Sequence, residues 1–181
     1  KNKIIQSNHI LALKKLGIKN VKVKKKINIL FFSTGNEISN NNSIPDWKVR
    51  NSNIHYIKNL NKNFLFNFKN GGILRDHEEK TFKLMIKKEL KSKINIILTS
   101  GAVSAGKHDY VPNVIKDFKS THHFKNVAIR PGKPVLFTKI KAKQKAFFGL
   151  PGNPISSAAC FRFFVYPYIL ILLGLKDEKP I

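Results

Sequence analysis

Glu37, Asp76 and Asp109 are the residues best placed to do chemistry in this sequence. The chain carries only ten acidic residues against 34 basic ones. These three each follow an apolar, strand-like run. Together they could share a hard divalent cation such as Mg2+, which takes oxygen ligands, commonly one or two carboxylates plus substrate phosphate. Taken singly, each could equally cap a turn or a helix start. Arg130 and Lys133 flank a stiff Pro131-Gly132 turn. They could clamp a phosphate or metal oxyanion, or form an ordinary solvated basic turn. Ser104, between small residues, could offer an oxyanion its hydroxyl and neighbouring amides. It lacks a His–Asp companion at the spacing of a serine nucleophile. His108, His122 and His123 match no zinc spacing. Asn153, between Pro151 and Pro154, could hydrogen-bond a ligand or close its turn.

These residues sit on or beside three glycine-bearing loops. The loops are Ser33-Thr34-Gly35-Asn36-Glu37, Ser100-Gly101-Ala102-Val103-Ser104-Ala105-Gly106 and Leu150-Pro151-Gly152-Asn153-Pro154. Each follows an apolar run. Loops at the carboxyl ends of parallel strands are where open α/β sheets bind ligands. Glycine there permits close backbone approach and positive φ, and free N–H groups attract anions. Neither GxxxxGK[ST] nor GxGxxG occurs, which removes P-loop NTPases and dinucleotide-dependent enzymes.

The elements that must position these loops read as follows. Residues 27–32 and 94–99 are continuous apolar runs, the pattern of buried parallel strands. Residues 127–129 read as a further strand, and 135–140 with 145–150 as a hairpin. Helices are expected after a cap at Asn51 or Ser52, over 78–90, over 112–118 and over 154–173, the last kinked at Pro167. Alternation of strands and helices predicts an α/β fold. We expect three α/β/α layers, a mostly parallel sheet and a late β-hairpin. Residues 1–25 read as the tail of a preceding domain, because a short helical pattern is followed only by valines alternating with lysines.

Composition narrows the function classes. The formal charge is +24, but only four of the 34 basic residues are Arg. Dispersed Lys among Asn and Ile is compositional rather than the Arg-rich pattern of nucleic-acid readers, so a nucleic-acid partner is not expected. The chain begins at Lys1, which suggests a fragment or a processed product. Single Cys160 permits no internal disulfide and fits a reducing, cytoplasmic setting. The apolar stretch 158–175 is interrupted by Arg162 and Pro167, so a core or interface helix is expected there and no membrane span.

At Phe32-Ser33-Thr34-Gly35-Asn36-Glu37, Arg50-Asn51-Ser52-Asn53, Leu74-Arg75-Asp76, the loop Thr99 through Tyr110, Ile129-Arg130-Pro131-Gly132-Lys133-Pro134, and Gly149-Leu150-Pro151-Gly152-Asn153-Pro154-Ile155-Ser156, the sequence resembles the molybdopterin molybdotransferase family, the MoeA-type and gephyrin E-domain proteins. Order and spacing fit as well. The resemblance implies a molybdopterin-binding domain over 26–174, with 175–181 starting a further β domain. It implies insertion of molybdate into adenylylated molybdopterin with release of AMP, a requirement for Mg2+, and a homodimer. It places Glu37, Asp76 and Asp109 in metal binding and catalysis. It places Thr34, Gly35, Ser100, Gly101, Ser104, Gly106, Arg130, Lys133, Pro151, Gly152, Asn153 and Ser156 at the substrate.

Three departures from the family pattern stand out. Asn36 and Asn51 replace the usual Asp and remove negative charge near the expected cation; Ala102 replaces a Gly and adds a methyl to its loop. Two alternatives remain at this stage: a molybdopterin adenylyltransferase of the same fold, and a non-catalytic basic binding or scaffold module.

Overall fold

The computed structural model describes residues 3–60, 65–103, 110–140 and 144–176. The elements in chain order are α1 (Ser7–Lys15), β1 (Ile27–Thr34), β2 (Ile38–Ser39), β3 (Val49–Arg50), α2 (Ser52–Asn59), β4 (Phe66–Leu74), α3 (Glu79–Glu89), β5 (Ile96–Ser100), α4 (Val111–Lys116), β6 (Ser120–Lys125), β7 (Leu136–Ile140), β8 (Lys145–Leu150), α5 (Pro154–Cys160), a π-helical turn (Phe161–Val165) and α6 (Tyr166–Leu173). Six strands form one sheet in the order β4-β1-β5-β8-β7-β6, and β2 pairs with β3 in a separate ribbon. Strands β4, β1, β5 and β8 run parallel; β7 and β6 add an antiparallel edge. The expected α/β class with a late hairpin is what forms.

The apolar runs predict burial on both sheet faces, and alternate residues serve opposite cores. Ile29, Phe31, Leu98 and Phe148 pack with α2, α5, the π-turn and α6 through Ile57, Phe161, Val165 and Ile169. Leu30, Phe32, Ile97 and Phe147 pack with α3 and α4 through Phe82, Ile86, Val111 and Ile115. This period of two is the strand geometry, and it gives the three layers. α1 buries no residue.

Three local expectations are corrected. Residues 127–129 do not form a strand; Asn126 adopts φ 64, and Val127 N–H donates to the Lys133 carbonyl within a loop. The edge strand is instead Ser120–Lys125, whose polar, mostly exposed residues show no apolar run. Asn51 occupies the cap position of α2 but makes no capping hydrogen bond, because its side chain is engaged elsewhere. Pro167 does not merely kink one helix. A π-helical turn directly precedes the helix of which Pro167 is the second residue, widening the ladder where proline lacks an N–H and crowds the carbonyl four residues back.

Among the described residues, Pro154–Leu173 is the one helix long and apolar enough to cross a membrane by length and composition. Cys160, Phe161, Val165 and Ile169 on its inner side are fully buried against the sheet, while Ile155, Phe163 and Ile171 are exposed.

Gly71 shows how tightly the layer beyond β1 is packed. The register of β1 against β4 slips there, with Phe31 opposite Asn70 and Phe32 opposite Gly72. The ring of Phe32, 2% exposed, fills the space a Cβ at position 71 would need. Gly71→Ala is therefore expected to destabilise the fold by about 1–3 kcal/mol, the usual cost of overpacking. A urea unfolding midpoint equal to that of the unchanged protein would contradict this packing.

Candidate functional site

Strands β1, β5 and β8 end at one level: Ser33 lies opposite Ser100, and Ser100 opposite Leu150. Their loops therefore emerge side by side. Gly35 (φ 133) and Gly101 (φ 100) take backbone conformations that disfavour side chains. A Cβ on Gly101 would lie 2.6 Å from both the carbonyl and the hydroxyl oxygen of Thr34, and a Cβ on Gly152 would lie 3.6 Å from the Gly101 Cα. The missing side chain at Gly101 thus lets its backbone rest on Thr34, and Gly152 stands in ordinary contact with Gly101.

The pocket so formed has a volume of ≈ 240 Å3. Thr34, Gly35, Glu37, Asp76, Gly101, Ala102, Val103, Pro134, Pro151 and Gly152 line it. Seven of these residues come from the sequence-derived set: Thr34, Gly35, Glu37, Asp76, Gly101, Pro151 and Gly152. Ser104, Gly106 and Asp109 lie outside the described residues. Ser100 sits just behind the lining, 3% exposed. Arg130 and Lys133 project exposed from their turn, and only Pro134 of that segment reaches the pocket wall. Asn153 closes its own turn: its Oδ1 accepts from the Ile155 and Ser156 amides and from the Ser156 hydroxyl. Ala102 adopts φ 51, a conformation that favours the glycine usual there.

The amides of Gly35 and Gly101 are not free for a ligand. They donate to Leu74 and Leu150 carbonyls at 3.0 and 2.9 Å, extending the sheet. Among the described residues, the lining carries two carboxylates and no basic residue, although the chain is strongly basic. Among the described residues no three of His, Cys, Asp and Glu gather as a metal site. Glu37 and Asp76 are nevertheless hard oxygen donors on one pocket. The Glu37 carboxylate folds back over Gly35 into the space a Cβ there would occupy. A donor set of two carboxylates suits a cation that keeps waters and substrate oxygens in its shell.

Sequence reading missed Arg75 as a site residue. Its Nη1 lies 3.0, 3.1 and 2.8 Å from the Gly35, Asn36 and Ile38 carbonyls. The Asp76 amide in turn donates to Asn36 Oδ1 at 3.2 Å. The loops bearing Glu37 and Asp76 are thereby locked to each other. A charged side chain directly before a candidate acid is the only signal the sequence carries for this role. Asn51 accepts from Ser33 Oγ at 2.7 Å and donates to Asn40 Oδ1 at 3.0 Å. Behind the Arg130–Lys133 turn, Cys160 Sγ donates to the Gly132 carbonyl at 3.3 Å, and burial pushes its thiol up to about 11. Burial first, then the charges of Asp76, Glu78 and Glu79, raises the Tyr110 phenol far above its usual range.

A mostly parallel sheet with a carboxyl-end pocket defines an α/β domain that takes a small ligand at its strand ends. Residues 30–170 match the family described as a probable molybdopterin binding domain, and the chain belongs to it. The chain is 32% identical over 182 residues to the molybdopterin molybdenumtransferase of Staphylococcus aureus strain MRSA252, covering 99% of this chain and 42% of that protein. It is 34% identical over 153 residues to the molybdenum cofactor synthesis protein cinnamon of Drosophila melanogaster, covering 84% and 25%. It therefore spans well under half the length of these relatives. The structure of the molybdopterin biosynthesis MoeA protein from Pyrococcus horikoshii superposes with a TM-score of 0.80 at 28% identity, covering 96% of this chain and 42% of that one. MoaB from Thermus thermophilus superposes with a TM-score of 0.58 at 15% identity, covering 84% and 99%, a likeness of fold alone.

Two outcomes follow from this geometry. Arg75→Ala should cost about 1.5–3 kcal/mol, the range for hydrogen bonds to a charged donor, and should speed amide exchange at residues 36–38 more than in β5. Uniform exchange would contradict the clamp. Cys160 should resist thiol reagents at pH 8 until the chain unfolds. Its raised thiol pKa stabilises the fold fully below about pH 9, the unfolded value, and that contribution is lost as pH rises towards about 11. Denaturant titrations at pH 8 and 10.5, compared with Cys160→Ser, check the sign.

Proposed function

We propose that this domain binds adenylylated molybdopterin and molybdate, and serves the insertion of molybdate with release of AMP. The observation that carries the reading is the pocket between three glycine loops, lined by Glu37 and, from the loop after β4, Asp76, in a fold whose relatives bear molybdopterin-related names. An anionic substrate would meet two carboxylates there and be repelled unless a cation intervenes. Glu37 and Asp76 are the residues of this pocket that would hold Mg2+, with Asp109 as the further candidate. When bound, such a cation offsets charge on the phosphoanhydride and its leaving group.

The chain's own residues have separate tasks in this reading. Thr34, Gly35, Gly101, Pro151 and Gly152 shape the floor against which the substrate lies. Ser100 ends β5 behind that floor, Asn153 closes the turn before α5 and Ser156 lies in the first turn of that helix; Ser104 and Gly106 are further candidates from the family resemblance. Arg130 and Lys133, exposed beside Pro134, attract the anionic groups at the pocket mouth. Arg75 and Asn36 keep Glu37 and Asp76 on one side of the pocket, where a carboxylate can orient a cation-bound oxygen.

The domain spans residues 26–174 in this proposal, flanked by the tail at 1–25, whose helix α1 buries nothing, and by 175–181. It acts as a homodimer in a cytoplasmic, reducing setting. The exposed Ile155, Phe163 and Ile171 support an apolar contact, and the free, buried Cys160 is consistent with that setting.

The test is AMP release from adenylylated molybdopterin by the intact protein carrying this sequence. Release should require both molybdate and Mg2+. Glu37→Gln and Asp76→Asn should each lower the rate at least about tenfold and raise the Mg2+ concentration needed, as loss of a cation ligand does. Absence of release by intact, folded protein overturns the reading.

A further inference from the structure

Asn53 lies outside the pocket lining yet touches two of its loops. It sits in the first turn of α2 and is 8% exposed. Its Nδ2 donates to Ser100 Oγ, on the strand end after which the second glycine loop begins. The same nitrogen donates to the Gly152 carbonyl at 2.9 Å, in the third loop. A carbonyl oxygen only accepts, so the carboxamide can face it only through its NH2 group. Both amide hydrogens are therefore committed, one to each loop.

The bridge falls where spacing is most sensitive. Gly101 and Gly152 meet beside it, and both line the pocket. Gly101 is also fastened to β8 through its amide and the Leu150 carbonyl. The sheet thus holds the two loops from one side, and Asn53 holds them from the other.

We propose that Asn53 is a positioning residue: its carboxamide sets the separation of the loops after β5 and β8, and with it the width of the pocket floor. The inference deepens the substrate-site reading and rests on it only for the ligand used below. Asn53→Asp keeps the shape and removes both donors, leaving a carboxylate against a carbonyl oxygen.

Two measurements on the full chain decide the matter. Amide exchange at Gly101, whose N–H is bonded to the Leu150 carbonyl, should accelerate at least tenfold in Asn53→Asp, while Leu98, in the middle of β5, is unchanged. Calorimetric titration with AMP and Mg2+ should show at least tenfold weaker binding than the unchanged protein at pH 7.5. That deficit should narrow at acid pH, where a protonated carboxyl regains one donor. Unchanged exchange at Gly101, or acceleration spread evenly along β5, overturns the positioning role. If the unchanged protein binds no AMP, the substrate reading fails, and the exchange measurement still decides Asn53. Should Asn53→Asp not fold by circular dichroism, Asn53→Ser, whose single hydroxyl can satisfy one acceptor at most, is read by the same exchange criterion.

Discussion

Close approach of three backbones at the carboxyl ends of β1, β5 and β8 is the constraint on which the site depends. Parallel pairing brings Ser33, Ser100 and Leu150 to one level; a side chain at 101 would run into Thr34, whereas one at 152 would make only ordinary contact with Gly101. The requirement propagates inward. Gly101 can rest on Thr34 only because β1 and β5 are adjacent central strands, and they are central because both their faces are apolar and covered by helices. The pocket forms beside this contact, where the sheet end has no room for a side chain at position 101.

Charge is distributed against the composition. Among the described residues, a chain of net charge +24 lines its pocket with two carboxylates and sends Arg130 and Lys133 outward into solvent. Like charges gathered on one pocket cost free energy unless something compensates them. The carboxylates remain partly solvated here, and the loops that carry them are held through backbone groups, with the Arg75 guanidinium on three carbonyls and Asn36 on the Asp76 amide. Among the described residues no ion pair consumes this negative charge, which is left available for a ligand cation.

Asparagine does much of the tying. Asn36 joins two loops, Asn51 joins the end of β1 to the Asn40 loop, and Asn53 reaches from α2 to two loops. At Asn51 the carboxamide both accepts and donates, which an ionised carboxylate cannot do. The resemblance marks Asn36 and Asn51 as lost acidic residues; their contacts show them holding the frame of the site.

Much of the molecule was legible from local pattern. Runs such as Ile96-Ile97-Leu98 admit burial on both faces and little else, so the parallel sheet and its order of helices could be read directly. The glycine loops, Glu37 and Asp76 were legible because small or charged residues directly after an apolar run contradict the run's own logic. Ser120–Lys125 was not legible, since an edge strand needs only one partner and no apolar face. The π-helical turn before Pro167 was not, since a missing N–H can be accommodated by bending or by widening, and packing on the sheet chooses. Nor were Arg75 and Asn53, whose partners lie about 40 and 50 to 100 residues away in sequence. By itself the sequence determined which segments must be buried and which breaks in them bear polar chemistry, because burial free energy and backbone freedom are properties of residues in order. Only the tertiary structure decided which loops meet, which amides are already spent in the sheet and which side chains hold the frame, because those depend on strand register and on distances that no local pattern contains.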